Sequence, residues 1–377
     1  MLGKRVKVKV DRPLGSYHPQ HKDLYYPINY GYVEGVFAPD GEEQDAYILG
    51  VDQPLAEFEG IVIAIIHRKN DIENKWVVAL EGKMFTKEEI KTAVHFQEQF
   101  FDSYVIMKAE RSVAPFEIKQ IGLKNSIDVM TKAIVGILAD NAPSVYLYGS
   151  VVLDDFRLGW SDIDLLVLTE KQISSEQAKQ LVQLRRELTA REPENPYYCL
   201  LEGGMLRLSA LLSDTEDTVV YWGTSGERVT NRYDFDSFSK KELLENGVLL
   251  YGIDVRNYID PPTFDDLRAD IRRHYETIRT HGSKTGKSIY SFGWLLDISR
   301  CIYTLRTGEI IAKTKVGEWA LEYGLCPDPA ALETALRVRN TPELFDNDES
   351  LQHYAEKLGN VIQAYADVLE KELYGSF

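Results

Sequence analysis

Between Tyr148 and Leu168 the chain reads YGSVVLDDFRLGWSDIDLLVL, and this stretch constrains the fold more than any other. Gly149-Ser150 follows a strand-like run, Val145 to Tyr148. After eleven intervening residues, Asp162-Ile163-Asp164 opens a second aliphatic run, Ile163 to Leu168, which has the pattern of a buried strand. Side chains on a strand alternate faces, so Asp162 and Asp164 point the same way. Two neighbouring carboxylates ionise together at a cost unless a cation lies between them, and hard oxygen ligands suit magnesium. A glycine at the end of the first strand lets backbone amides approach a phosphate, and Ser150 adds a hydroxyl. A solvated turn explains either motif alone. The two together, each against a strand, point to metal-assisted phosphoryl or nucleotidyl transfer. Such a site calls for a third carboxylate from a neighbouring strand. Glu202, in the apolar stretch Cys199-Leu200-Leu201-Glu202-Gly203-Gly204, is the candidate, since a carboxylate among apolar neighbours needs a partner or a job.

At 377 residues the chain exceeds one ordinary core, so two or three domains are expected. Its net charge of −16 argues against nonspecific nucleic-acid binding and suits a cationic small substrate. Cys199, Cys301 and Cys326 are scattered without metal-ligand spacing, which fits a reducing cytoplasm. The opening MLGKRVKVKVDRP has no apolar signal core, and no stretch approaches membrane-spanning length, so no membrane partner is expected.

Along the chain, residues 1–112 are β-rich. Val6, Val8 and Val10 alternate with lysines, and further strands are expected over Tyr25 to Tyr32, Ala46 to Val51, Gly60 to His67 and Trp76 to Leu80. Turn signals at Pro39-Asp40-Gly41, Asp52-Gln53-Pro54 and Asn70-Asp71 separate them, and short strands so spaced suggest a small barrel. Thr86 and Glu89 form a capping-box pattern ahead of a helix carrying Ile90 and Val94. The stretch from Glu110 to Phe116 marks a boundary. Beyond it the spacing predicts helices from about Ile118 to Ala139 and from Glu176 to Ala190, capped by Ser174 and Ser175. Tyr197 to Leu211 reads as a strand pair broken at Gly203-Gly204. From about Asp260 the pattern is all-helical: Thr263 or Asp265 to Thr280, Ser288 to Thr307 before Gly308, Ala312 to Tyr323, Pro329 to Arg339 and Glu349 to Leu373.

Two resemblances carry more specific implications. Tyr26-Pro27-Ile28-Asn29-Tyr30-Gly31-Tyr32 followed by Asp40-Gly41-Glu42-Glu43-Gln44-Asp45 resembles the family I inorganic pyrophosphatases. The resemblance implies a five-stranded OB-like barrel. It also implies a possible second metal site at Asp40, Glu42 and Asp45, with Lys75 and Glu73 matching the family's last acidic cluster. Glu42 replaces an Asp of that family, and Phe100-Phe101 stands where the family has a Tyr-Lys phosphate clamp. Losing that cation removes charge-assisted hydrogen bonds, so a degenerate barrel is expected, serving in binding or dimerisation.

Residues 118–377 resemble the aminoglycoside adenylyltransferases of the streptomycin/spectinomycin type, within the DNA polymerase β-like nucleotidyltransferases. The resemblance rests on YGS…SDIDLLV, on Gly247-Val248-Leu249-Leu250-Tyr251-Gly252, and on Leu296-Asp297-Ile298-Ser299-Arg300 with Tyr303, Thr307-Gly308, Ile310, Lys313 and Glu318-Trp319-Ala320. It implies an α/β nucleotidyltransferase domain with a small mixed sheet over 118–258 and a helical domain over 259–377, with ATP and acceptor between them. Carried over residue by residue, Gly149, Ser150, Ser161, Arg300 and Lys313 would bind ATP. Asp162, Asp164 and Glu202 would be catalytic and hold Mg2+, with Glu202 the general base. Trp222 and Asp297 would face a cationic, aminoglycoside-like acceptor.

The expected fold is therefore multidomain β, α/β and α, and the expected activity is magnesium-dependent transfer of AMP from ATP to an acceptor hydroxyl. A bifunctional nucleotidyltransferase/pyrophosphatase and a transferase acting on RNA or protein are the alternatives. His281-Gly282-Ser283-Lys284-Thr285-Gly286-Lys287-Ser288 resembles a phosphate-binding loop, but its flanks are helical on both sides, so it reads as a helix–helix connection. His67, His95 and His274 read as structural.

Overall fold

The computed structural model describes residues 4–38, 40–68, 71, 73–81, 83, 85–107, 117–223 and 226–375. The expected boundary at Glu110 to Phe116 and the turn residues Pro39 and Asn70 lie outside them. The chain divides into two compact units. One takes in Met1–Ser112 with Tyr303–Glu309 and Lys371–Phe377; the other takes in Val113–Ile302 and Ile310–Glu370. The α/β part, expected over 118–258, and most of the helical part, expected over 259–377, fall in the second unit, while Tyr303–Glu309 and Lys371–Phe377 are grouped with the first.

In the first unit, β1 (Arg5–Arg12), β2 (Asn29–Phe37), β3 (Glu43–Leu49), β4 (Glu57–Arg68) and β5 (Lys75–Ala79) close a five-stranded ring. Its order is β1-β2-β3-β5-β4, with β4 returning to β1 and the β3–β5 pair parallel. Helix α1 (Lys87–Glu98) carries the expected Thr86–Glu89 capping box and buries Ile90 and Val94. A sixth strand that the sequence pattern did not reveal, β6 (Ser103–Met107), pairs with the far end of β4. The second strand starts at Asn29 rather than Tyr25. Pro27 lacks the N–H a ladder needs, and the Asn29 side chain is used instead to accept from the amides of Leu14 and Leu55. Tyr26, Tyr30 and Tyr47 pack with Ile90 and Val94 in the barrel core.

In the second unit, α2 (Ile121–Ile137), β7 (Ser144–Tyr148), β8 (Ile163–Thr169), α3 (Ser175–Arg191), β9 (Leu201–Arg207), α4 (Leu208–Ser213), β10 (Val219–Gly223), β11 (Gly226–Thr230), α5 (Ser237–Asn246) and β12 (Val248–Tyr251) follow in order. The sheet is mixed, β11-β10-β9-β8-β7-β12, with only β8 and β9 parallel. Alternation splits its apolar residues cleanly. Val145, Leu147, Ile163, Leu165 and Val167 join a core with residues of α2 and α3, while Tyr146, Tyr148, Leu166 and Leu168 join another with Leu243 of α5. The helical part comprises α6 (Phe264–His281), α7 (Tyr290–Thr307), α8 (Lys313–Glu322), α9 (Pro329–Asn340), α10 (Glu343–Asp346), α11 (Glu349–Glu356) and α12 (Gly359–Tyr374).

Two expectations need correction. Residues 201–207 form one continuous strand, not a pair broken at Gly203-Gly204. Glycine is required there because a Cβ on Gly203, whose φ is +146°, would overlap the Leu165 carbonyl oxygen of the neighbouring strand. The expected helix from Glu349 to Leu373 is two helices, because the Lys357 and Leu358 amides bond back three residues, to the Tyr354 and Ala355 carbonyls, and close the first before Gly359 opens the second.

Gly203→Ala should therefore cost more than about 3 kcal/mol, read as the loss of the urea midpoint. Gly136→Ala is the control. It sits in exposed space on α2, where a Cβ meets nothing within 4 Å, and it should stabilise by up to about 1 kcal/mol. Equal midpoints for wild type and Gly203→Ala would sink the close-packing argument.

Candidate active site

The turn after β7 sets the floor of the site. Gly149 has φ +71°, and a Cβ there would overlap the Asp164 carboxylate. Ser150 Oγ donates to the Asp162 carbonyl at 3.3 Å, tying the turn to the start of β8. Ser161 Oγ accepts from the Arg157 amide at 3.0 Å. The sheet register then aligns Tyr148 with Asp164 across β7–β8, and Asp164 with Glu202 across β8–β9. Laterally paired residues share a face, so Glu202 stands beside Asp164 as the third carboxylate. Tyr221 Oη donates to Glu202 Oε1 at 2.8 Å.

The same register corrects Trp222. It pairs with Gly203, which pairs with Leu165, and so lies on the opposite face of the sheet from Asp164. Trp222 is 1% exposed in the core with α2 and α3, and its indole N–H donates to the Leu181 carbonyl at 3.1 Å. It is no part of an acceptor site. Its neighbour Tyr221 occupies the face that carries Asp164 and Glu202, a one-residue difference that alternation along the strand encodes.

Above this floor is a cavity of about 570 Å³. Gly149, Ser150, Ser161, Asp162, Asp164, Asp297, Arg300 and Lys313 all line it, so the structure brings together eight of the site residues expected from sequence. Glu242 of α5 and Arg339 of α9 also line it and had no sequence signal of their own. So does the loop containing Lys284, Thr285, Gly286 and Ser288. Reading that loop as a helix–helix connection is right, but the connection faces the site.

The electrostatics are dominated by crowded carboxylates. Burial pushes the Asp162 carboxyl up to about 6, helped by Glu202, with Lys313 opposing. Burial pushes Asp164 up to about 8, reinforced by Glu242, Asp162 and Glu202. Glu242 is itself raised by burial, and Arg300 pulls the other way from 3.4 Å. Burial opposes ionisation of Asp297 as well, yet Lys313 and Arg300 outweigh it and hold that carboxyl low. Lys313 Nζ is 2.8 Å from Asp297 Oδ1. Lys313 is delivered by a buried network one residue away. Arg339, 2% exposed, pairs with Asp155 at 2.6 Å, and Thr314 Oγ1 donates to Asp155 at 2.5 Å.

Asp162 and Asp164 fit a hard divalent cation: two oxygen-donor side chains whose ionisation is held back by burial and mutual repulsion. Among the described residues no three His, Cys, Asp or Glu side chains are grouped to hold a metal. Glu202, engaged by Tyr221, is therefore not preassembled as a third ligand. Magnesium commonly takes one or two carboxylates and completes its shell from substrate phosphates and water. The second site expected at Asp40, Glu42 and Asp45 is likewise not assembled. Asp40 and Glu42 are exposed, whereas the Asp45 carboxylate accepts from Lys75 Nζ at 2.5 Å and from the Tyr30 hydroxyl. Phe101, at the position of the lost clamp, lies under the Arg68 guanidinium at 3.6 Å.

Residues 133–194, spanning the end of α2 through α3, match the model of the nucleotidyltransferase domain. The chain thus contains a nucleotidyltransferase domain. No curated protein sequence matches it. Among solved structures, the spectinomycin adenyltransferase of Enterococcus faecalis, with ATP and spectinomycin, aligns at 18% identity over 66% of this chain and 99% of that one, with TM-score 0.46. The inorganic pyrophosphatase of Ehrlichia chaffeensis aligns at 14% identity over 28% of this chain and 88% of that one, with TM-score 0.23. That of Thermus thermophilus aligns at 17% identity over 28% and 80%, with TM-score 0.20.

Asp164 binds its proton more tightly folded than unfolded, so its contribution to stability falls as pH rises from the ordinary carboxylate range towards about 8. In magnesium-free protein, Asp164→Asn should remove that decline and raise Tm at pH 8 by several degrees, while abolishing nucleotidyl transfer. Parallel Tm-against-pH curves for wild type and variant would refute this.

Proposed function

We propose that the chain is a magnesium-dependent adenylyltransferase that moves AMP from ATP to a hydroxyl of an aminoglycoside-like small molecule and releases pyrophosphate. The observation that carries this reading is the register Asp164–Glu202 beneath a cavity into which Arg300 and Lys313 project. It supports a division of labour. Asp162 and Asp164 would hold the cation, which when bound offsets negative charge on the phosphates. Ser150 and Ser161 would donate to phosphate oxygens. Arg300 and Lys313 would exchange Glu242 and Asp297 for the triphosphate, a fork donor and a point charge suited to it. Glu202 would take the acceptor's hydroxyl proton as its oxygen attacks the α-phosphorus and the bond to pyrophosphate breaks. Tyr221 would keep the carboxylate aimed.

The acceptor class rests on the α7–α8 signature and on charge. When Lys313 turns to a phosphate, Asp297 is left facing the cavity, where an amino group would pair with it. Asp45, already held by Lys75 in the barrel, supports one activity rather than two.

Incubation with ATP, magnesium and an aminoglycoside panel should give an acceptor heavier by one AMP in mass spectra, with no product from Asp162→Asn. Failure across the panel, with AMP found instead on RNA or protein, would replace the acceptor. Tyr221→Phe should lower kcat about tenfold and leave KM for ATP unchanged; a raised KM with intact kcat would remove Tyr221 from the chemistry. The full chain should show no magnesium-dependent hydrolysis of pyrophosphate, and turnover abolished by Asp45→Asn would establish the bifunctional alternative.

A further inference from the structure

The cavity wall carries four basic side chains, Lys284, Arg300, Lys313 and Arg339. Three of them are neutralised. Arg300 faces Glu242, Lys313 faces Asp297, and Arg339 pairs with Asp155. Among the described residues Lys284 has no ion pair, and it sits exposed on the α6–α7 loop. The loop beneath it is anchored. Thr285 Oγ1 donates to the Glu356 carbonyl at 2.9 Å, and Ser291 Oγ donates to the Gly286 carbonyl at 2.9 Å. The absent Cβ of Gly359 lets α12 start directly against Ser283. Ser288 Oγ accepts from the Tyr290 amide at 3.3 Å, which leaves its own O–H to donate. A Cβ at Gly286 would meet nothing within 4 Å, so this part of the loop borders open space.

The loop is also close to the chemistry. Tyr290, which follows it, lines the same cavity and is within electrostatic reach of Asp162 and Glu202, whose charges add to burial in raising its hydroxyl. With a cation on Asp162 and Asp164, the un-neutralised charge left on this wall is positive. An ammonium group placed there would be repelled. A group with delocalised negative charge and several acceptor oxygens would take up both the Lys284 charge and the Ser288 hydroxyl.

We propose that Lys284 and Ser288 form an anion subsite of the cavity, binding a phosphate group through the lysine ammonium and the serine hydroxyl. The group has two sources. It belongs either to the triphosphate of ATP and the pyrophosphate it releases, in which case the proposal rests on the adenylyl-transfer reading, or to a phosphorylated acceptor. The aminoglycoside-like acceptor belongs with the first source; the second would replace it.

Calorimetric titrations of wild type, Lys284→Gln and Lys284→Arg distinguish these, using MgATP, magnesium pyrophosphate, AMP and inorganic phosphate. If the subsite holds the nucleotide's phosphates, Lys284→Gln weakens ATP and pyrophosphate about tenfold, AMP is unaffected, and Lys284→Arg restores most of the loss. If it holds an acceptor's phosphate, ATP and pyrophosphate are unchanged. Inorganic phosphate then binds the enzyme saturated with a non-hydrolysable ATP analogue, and Lys284→Gln abolishes that binding. Affinities for all four probes within twofold of wild type in Lys284→Gln would overturn the subsite. A wild type that binds no MgATP would sink adenylyl transfer instead, and the phosphate titration would still decide Lys284. The exposed position of Lys284 on an anchored loop makes the substitution safe for folding, which a thermal melt of each variant checks.

Discussion

Asp162, Asp164 and Glu202 on the central strands β8 and β9 or just before them, with Glu242 of α5, crowd one partly buried place, and the rest of the second unit is arranged around the repulsion between them. Burial raises the Asp162, Asp164 and Glu242 carboxyls, and the charges of Glu242, Asp162 and Glu202 drive Asp164 further in the same direction. A core assembled only for stability would place apolar side chains there. The register of β7, β8 and β9 instead brings Asp164 and Glu202 side by side, and Gly149 clears the space that Asp164 needs. Stability is given up here, and under the proposed function a cation and a polyphosphate would recover it, the usual relation between strain and function at an active site.

The positive side of the site is built as carefully. Lys313 begins α8, and the next residue, Thr314, donates through both its amide and its hydroxyl to Asp155, at 3.2 and 2.5 Å. Asp155 lies in the turn that follows Gly149-Ser150 and is paired with Arg339 of α9. One buried carboxylate thus links the turn after β7 to the start of α8 and the end of α9, so the position of Lys313 is tied to that of Ser150. Removing either partner would leave an uncompensated charge in the interior, which is why the network can hold geometry even though replacing it whole by apolar groups need not cost stability.

Much of this was legible in the residues. The capping box at Thr86, the Ser174 cap, the helical periodicities, and the paired motifs around Gly149 and Asp162 appear where the sequence pattern puts them. What could not be read was any property set by register between distant strands. Trp222 is an aromatic at a plausible spacing, yet one residue decides whether it or Tyr221 faces Asp164, and only the pairing with Gly203 settles that. Gly203-Gly204 looked like a break because glycine usually marks a turn; here Gly203 marks two backbones in close approach and Gly204 makes room for the Tyr233 ring. The α6–α7 loop was legible as a loop, but its place on the cavity wall depends on α11 and α12 holding it, at a separation of about seventy residues.

The barrel answers the same problem of buried carboxylates in the opposite way. Lys75 is 4% exposed and reaches both Asp45 and Glu73, so the cation these acids call for is supplied by the protein itself. Burial still raises Glu73, with Lys75 opposing. The tyrosines of Tyr26-Pro27-Ile28-Asn29-Tyr30 pack in the core with Tyr47, whose hydroxyl donates to Glu98, and Glu98 is in turn held by Arg68. The tyrosines of a motif that resembles the pyrophosphatases in sequence thus hold the barrel together. An internal ammonium leaves Asp45 little reason to recruit a metal, whereas Asp162 and Asp164, with no lysine between them, retain the unsatisfied charge that binding a cation requires.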